Sequence, residues 1–305
     1  VKNFEWKTIF NWSKNNSMVE SLPEGIDKIQ IGSGVYNVKS YAEVGKPYGA
    51  IYAKTFKRDA EGYILCQLDG SPKEGQDYEY LGCVQADWRG GWNNVFRLGN
   101  FSFSVMFDFQ KGGKFFSQTS IQSSVDGQSV KSLEGRDADF FSRKILGESD
   151  EERYGFMRPQ NANTPTANGQ VYPDWGRPKG VVLPNCRYDE DVEGLAGQQV
   201  LGYCTPERYW MHYTSRDISR FIYDASYVKL REITVSYDLP KKWLRKTPFQ
   251  TFRVAAVGRN IATLFANTPH GLDPQATSTT GNAQGFERGF NLPSATYGFD
   301  IKVSF

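Results

Sequence analysis

Tyr297-Gly298-Phe299-Asp300-Ile301-Lys302-Val303-Ser304-Phe305 closes the chain with an unbroken alternation of apolar and polar residues. Successive side chains of an extended strand point to opposite faces, so Tyr297, Phe299, Ile301, Val303 and Phe305 share one side. Gly298, Asp300, Lys302 and Ser304 occupy the other. One side suits hydrocarbon and the other suits water or a polar lumen. Phe305 is also the last residue, and a chain that ends on an aromatic within an amphipathic strand is typical of outer-membrane barrels, whereas soluble domains more often end in a polar frayed tail.

The same pattern recurs upstream. Phe101, Phe103, Val105, Phe107 and Phe109 alternate with Ser102, Ser104, Met106, Asp108 and Gln110. In the segment from Ala225 to Leu239, Ile233, Val235, Tyr237 and Leu239 oppose Glu232, Thr234, Ser236 and Asp238. From Phe249 to Ile261, Phe252, Val254 and Ala256 oppose Thr251 and Arg253. Phe4 to Trp12 alternates again, Asn93 to Arg97 reads as a strand, and another is expected around Ala50–Lys57, which makes about seven.

Composition agrees. The 305 residues include 21 Phe, 17 Tyr, 7 Trp and 30 Gly, yet mean hydropathy is −0.55. An aromatic-rich chain that is polar overall fits a barrel with one apolar face. No run of about 20 apolar residues exists for a membrane helix. The fold class expected is all-β: the carboxy-terminal portion of an antiparallel transmembrane β-barrel with long loops. A soluble, secreted β-sandwich that binds carbohydrate is the rival reading, in which the Phe-rich faces would be core.

The connections give an orientation. Leu98-Gly99-Asn100 is a tight turn and Pro240 to Pro248 a short link, so both are assigned to the periplasmic side, as is the C-terminus. Asp59–Arg89, Lys111–Tyr223 and Thr263–Pro293 then become extracellular loops, and 115–220 is a loop region long enough to fold on itself. Within it, Ser132–Leu146 suggests a short helix and Asn161–Pro184 irregular coil. Seven strands would leave two bare edges in a membrane, so residues 1–305 are expected to be part of a larger barrel.

Chemistry-bearing motifs are sparse. Net charge is +2, from 36 basic and 34 acidic residues that are interspersed, which leaves no footprint for nucleic acid. His212 and His270 lack any triad-like setting. Gly32-Ser33-Gly34 and Gly112-Gly113 have no following Lys-Ser/Thr and read as turns. Asp189-Glu190-Asp191-Val192-Glu193 lacks the Gly-punctuated spacing of a calcium loop and reads as solvated. Cys66, Cys83, Cys186 and Cys204 form two locally spaced pairs without a C-x-x-C, expected as two loop disulfides, with four free thiols as the alternative. Tyr172, Trp175, Tyr188 and Trp210 are candidates to stack on cargo or pack against a partner protein. Tyr237 and Tyr297 read as girdle residues, and Glu232, Asp238 and Arg253 as lumen-facing residues that keep a hydrated interior and cross-strand pairs. No enzyme activity, metal or cofactor is expected.

Several of these segments occur in a characteristic order. Val44-Gly45-Lys46-Pro47-Tyr48-Gly49, Asp87-Trp88, Gly90-Gly91, Asn100-Phe101 and Gly112-Gly113 are followed by Ala225-Ser226-Tyr227-Val228-Lys229-Leu230-Arg231-Glu232-Ile233. Gly258-Arg259-Asn260, Gly271-Leu272-Asp273-Pro274 and Pro293-Ser294 come next. The chain resembles the SusC/RagA-like TonB-dependent transporters over nearly its whole length, with Ala86 standing where that family usually has Pro. The resemblance implies a barrel of about 22 strands filled by a plug that this stretch does not include. It further implies residence in the outer membrane of a Gram-negative bacterium, surrounded by outer-membrane lipid. The implied activity is TonB-driven import of oligosaccharides or peptides, with the TonB complex acting on parts upstream and a SusD-like surface lipoprotein as partner.

Overall fold

The computed structural model describes residues 4–134, 181–204, 206–269, 271–276, 281, 284–289 and 294–305. In chain order its strands begin with β1 (Phe4–Ser13), β2 (Lys28–Ser33), β3 (Lys39–Glu43), β4 (Ala50–Ala53), β5 (Ile64–Cys66) and β6 (Glu79–Cys83). There follow β7 (Trp88–Leu98), β8 (Phe101–Lys111), β9 (Lys114–Ser117), β10 (Val181–Tyr188) and β11 (Gln199–Cys204). The last are β12 (Ile222–Asp224), β13 (Tyr227–Asp238), β14 (Thr251–Ala266), β15 (Phe286–Glu287) and β16 (Thr296–Ser304).

Six of them make one antiparallel sheet in the order β1-β7-β8-β13-β14-β16. Its register sorts the side chains. Val235 lies between Phe103 and Ala256, Tyr237 between Phe101 and Val254, and Ala256 opposite Phe299. The alternating apolar residues of the strands therefore line up on a single face. Among the described residues nothing covers this face at β16, where Phe299 is 87% exposed and Tyr297 75%. Further along, the aromatic rings stack across strands instead. Trp6 and Phe96 lie 6.1 Å apart, Phe96 and Phe103 6.2 Å, Trp92 and Phe107 5.9 Å, and Phe10 and Phe109 5.7 Å. The indole N–H groups are satisfied within the face, Trp92 donating to Thr8 Oγ1 at 2.9 Å and Trp6 to Asn94 Oδ1 at 3.1 Å. A soluble sandwich would bury such a face against a second sheet.

The opposite face is polar and internally paired. Arg253 grips Asp238 through two hydrogen bonds of 2.6 and 2.8 Å, and Arg259 reaches Glu232 at 3.0 Å. Each pair is directly cross-strand in register. The fold class read from the sequence, an antiparallel β-barrel wall with unequal connections, is thus observed. Gly99, at φ +59, closes the turn between β7 and β8, and residues 239–250 join β13 to β14. At the other end the connections 14–87, 112–226 and 267–295 are long.

Two expectations change. The wall has six strands, because Ala50–Ala53 belongs to a separate four-stranded sheet, β2-β3-β4-β6. All four of its residues are buried, so it has no polar face to turn toward a lumen. Residues 181–184, expected as coil, begin β10. The long connections fold around a core of their own, in which Phe56, Phe116, Ile121, Tyr209, Trp210, Phe221 and Phe286 are buried. A short helix there, α1 (Gln118–Val125), starts where Ser117 Oγ accepts the Ser120 amide at 3.1 Å and buries Ile121. Of the helix expected from Ser132, only the end of a 3-10 turn, Val130–Leu133, falls within the described residues. Among the described residues no helix is long and apolar enough to cross a membrane.

Candidate functional site

The wall's polar face carries its densest chemistry near the long-loop end, and a bulge creates it. Leu230 pairs with Phe107 and Glu232 with Met106, so Arg231 has no partner on β8. On β14 the same break leaves Asn260 and Ile261 between the pairs Leu230–Ala262 and Glu232–Arg259, and Asn260 adopts a φ of +51. An extra residue bends a strand and re-aims its side chain. Arg231 here turns its guanidinium to the polar face. It donates to Asp108 through Nε, at 3.2 Å, and through Nη2, to Gln275 Oε1 at 2.7 Å and to Asn260 Oδ1 at 3.3 Å.

Lys229, one position before the break, is almost fully enclosed. Its Nζ contacts both Asp273 oxygens at 2.5 Å and Gln275 Oε1 at 3.0 Å. Gln275 Nε2 in turn donates to the Tyr227 hydroxyl at 2.6 Å. The segment around Asp273 and Gln275 is therefore fastened onto the wall by a network in which each cation has its carboxylate.

One cavity opens beside this network and a second adjoins the first. One, of about 270 Å³, is lined by Arg89, Gln110, Lys114, Tyr227, Gln275 and Gln284 among others. The second, of about 320 Å³, includes Ser13, Asn15, Gln85 and Trp88 and shares Val84, Arg89 and Gln284 with the first. Val84 sits against Gly49 and Gly285, at φ +91 and +90, where an added Cβ would fall 2.5 and 2.2 Å from its methyls. Glycine at both positions lets Val84 shape the two cavities. Lys114 faces Asp224 at 3.4 Å. Burial pushes the Asp224 carboxyl up, but the Ser226 hydroxyl and amide, then Lys114, outweigh it and hold the group below its usual range. Amides, a phenol and exposed Arg89 offer hydrogen bonds to a polar guest. Among the described residues no group of three His, Cys, Asp or Glu is placed to hold a metal.

The residues singled out from sequence fare unequally. Trp210 is 1% exposed, with its Nε1 donating to the Glu134 carbonyl at 3.2 Å and its ring 5.2 Å from Tyr209. It is a core residue and presents no surface to cargo. Tyr188 is half-buried at the end of β10, while Tyr172, Trp175 and His270 lie outside the described residues. His212 is exposed.

None of the four cysteines is in a disulfide. Cys66, Cys186 and Cys204 are buried in the loop core and Cys83 lies apart, its Sγ 3.3 Å from the Tyr48 carbonyl. Thiols so buried pack as small apolar groups. The adjacent Cys186 sulfur, then burial, raise the Cys66 thiol far above its ordinary range, and burial pushes Cys204 up to about 12. The acidic run is not simply solvated either: Asp189 is buried, with Lys73 Nζ at 2.8 Å and Lys57 Nζ at 2.9 Å. Arg231, Lys229 and Asp273 carry no sign in the sequence that they act as a unit, although all three fall in the segments Ala225–Ile233 and Gly271–Pro274.

Compared with known proteins, the chain matches no family model. It is 23% identical over 318 aligned positions to TonB-dependent receptor P3 of Formosa agariphila, an alignment that takes in 97% of this chain and 26% of that protein. This chain is similar to a TonB-dependent receptor. Its fold also matches the RagAB peptide transporter, with a TM-score of 0.53 at 14% identity over 100% of this chain and 28% of that one. The same importer in its closed-closed state gives a TM-score of 0.54, again at 14% identity and the same coverage. The chain thus spans about a quarter of the length of the TonB-dependent receptor and of the RagAB chain it matches.

Proposed function

We propose that the chain supplies barrel wall and loops to an outer-membrane TonB-dependent importer of large nutrients, oligosaccharides or peptides, and that its role is not enzymatic. One observation carries this reading: a six-stranded sheet whose aromatic face is bare while its other face is charged, paired and lined with cavities. Bare aromatics on one side and a wet lining on the other are what a wall between lipid and lumen requires. Phe101, Phe103, Val105, Phe107, Phe109, Tyr297, Phe299, Ile301, Val303 and Phe305 then face lipid.

In this reading the two short connections are periplasmic and the folded loop mass is extracellular, where a SusD-like lipoprotein would dock and deliver cargo. The missing wall and plug come from the rest of the polypeptide, and TonB acts there. The Arg231–Lys229–Asp273 network holds a loop against the lumen, and the adjoining cavities give passing cargo hydrogen-bonding partners. The named TonB-dependent relative and the likeness to a peptide transporter support this assignment.

The test is uptake of labelled peptides and oligosaccharides by whole cells with and without an uncoupler, alongside outer-membrane fractionation. Energy-dependent uptake that is lost on deleting the gene, with the protein in the outer-membrane fraction, is expected. A detergent-free monomer outside the membrane, or uptake indifferent to the deletion, overturns the proposal.

A further inference from the structure

The connection between β13 and β14 has an unusual make-up. Leu239-Pro240-Lys241-Lys242-Trp243-Leu244-Arg245-Lys246-Thr247-Pro248 carries four cations in six positions. No Asp or Glu occurs between Asp238 and Asp273, and Asp238 itself is held by Arg253 at 2.6 Å. Elsewhere, in the wall, Arg97, Arg231, Arg253 and Arg259 each meet a carboxylate on a neighbouring strand. Here, among the described residues, Lys241, Lys242, Arg245 and Lys246 are exposed without a carboxylate at ion-pair distance.

Local geometry makes the segment rigid enough to present them. Lys241–Leu244 forms a single helical turn after Pro240, and Leu244 is buried as its anchor. The Thr247 amide donates to the Leu244 carbonyl at 2.9 Å and the Thr247 hydroxyl to the same carbonyl at 2.8 Å. Trp243, by contrast, is 62% exposed. At the end of the same connection Phe249 meets Phe252 at 5.9 Å and Phe305 at 5.3 Å, at the edge of the wall's apolar face. An exposed indole in a connection that leads into the aromatic edge of the wall, flanked in sequence by long cationic side chains, is the composition of a membrane-interface anchor. Its excess of positive charge selects an anionic surface.

We infer that this connection is a binding site for anionic phospholipid headgroups, with Lys241, Lys242, Arg245 and Lys246 taking the phosphates and Trp243 lying at the headgroup level. The inference rests on the membrane reading above and adds a lipid preference to it. The occupant is the periplasmic phospholipid leaflet, because the segment lies at the short-turn end beside the apolar face. Anchoring there would fix the depth and tilt of β13 and β14, the strands that carry the Arg231 bulge.

The experiment uses the whole protein extracted from outer membranes and placed in nanodiscs of phosphatidylcholine with or without phosphatidylglycerol, with hydrogen exchange followed at residues 239–250. Slower exchange with phosphatidylglycerol is expected, reversed by high salt. The preference should fall roughly fivefold for each cation removed in K241Q, K242Q, R245Q and K246Q combinations. Trp243→Ala should weaken protection in both lipids alike. Equal exchange in the two lipids overturns the inference. So does the same protection from soluble glycerol 3-phosphate, which would mark a free-phosphate site, or a preference that survives all four Gln substitutions. Correct outer-membrane assembly with no lipid preference would sink this inference and leave the transport reading standing, whereas absence from the membrane would sink both.

Discussion

The wall and the loop mass solve opposite problems with the same chain. The wall turns its largest apolar side chains outward, with Phe299 and Tyr297 bare, and keeps its cations and carboxylates on the other face. The loop mass does the reverse and gathers Tyr209, Trp210, Tyr213 and Phe221 into an ordinary water-excluding core. Burial therefore means different things in the two regions. In the loop mass it marks stability, while in the wall the most enclosed of the described residues is a lysine, Lys229, and it marks a tether.

Substitutions that separate the two regions test that contrast most severely. Trp210→Ala should cost the loop mass about 3–5 kcal/mol, seen as protease sensitivity in residues 181–221, while the wall keeps its resistance to denaturation in detergent. If the wall unravels with it, the two regions are one cooperative unit. Lys229→Met should act from the other side. It leaves the half-enclosed Asp273 without its cation, at a cost of about 3 kcal/mol, and hydrogen exchange around residues 271–276 should rise with no change in the core about Trp210. Unaltered exchange there would mean that the network decorates the loop without holding it.

The same contrast explains which features are legible in the sequence alone. Phe101 to Phe109 and Tyr297 to Phe305 announce themselves because a period of two, sustained over nine residues, has few physical sources. Ala50–Ala53 misleads, because a strand buried on both sides has no alternation to distinguish it from wall. Trp210 misleads for a related reason: an aromatic in a long segment without periodicity looks equally suited to a surface or a core. Arg231 could not be found from one strand, since a bulge is a mismatch between two, and only the register with β8 and β14 reveals it. Spacing along the chain groups the cysteines into two local pairs, yet Cys66 and Cys186 meet through the parallel pairing of β5 and β10.

A sharper cut is made within a single strand. Val105 and Ser104 are neighbours on β8 and face opposite ways, Val105 toward Ile233 and Ser104 toward Thr234. Val105→Arg should lower assembly into the outer membrane by about 2–4 kcal/mol, as a charge toward lipid does near mid-depth, whereas a charge toward the lumen is far better tolerated. Ser104→Arg should therefore fold and insert nearly normally, measured as the folded fraction in urea titrations from lipid vesicles. Equal penalties for the two would place apolar matter on both faces and return the sheet to a soluble sandwich.

The smallest effect expected is a pH dependence confined to the loop mass. Burial alone would raise the Asp189 carboxyl, but Lys73, then Lys57 and the Glu190 amide, more than compensate and bring it from 3.8 to about 2. A group whose folded value lies below its unfolded one stabilises fully above the unfolded value and loses that contribution as pH falls through the folded one. The loop mass should accordingly weaken between about pH 4 and pH 2, by at most about 2 kcal/mol, read as exchange or proteolysis near residues 186–200. Asp189→Asn should flatten that part of the profile and leave the wall's acid resistance as it was. A wild-type loop mass indifferent to pH over this range would mean that Lys57 and Lys73 are solvated instead of holding the β5 and β10 region together, and the buried core alone would then carry its stability.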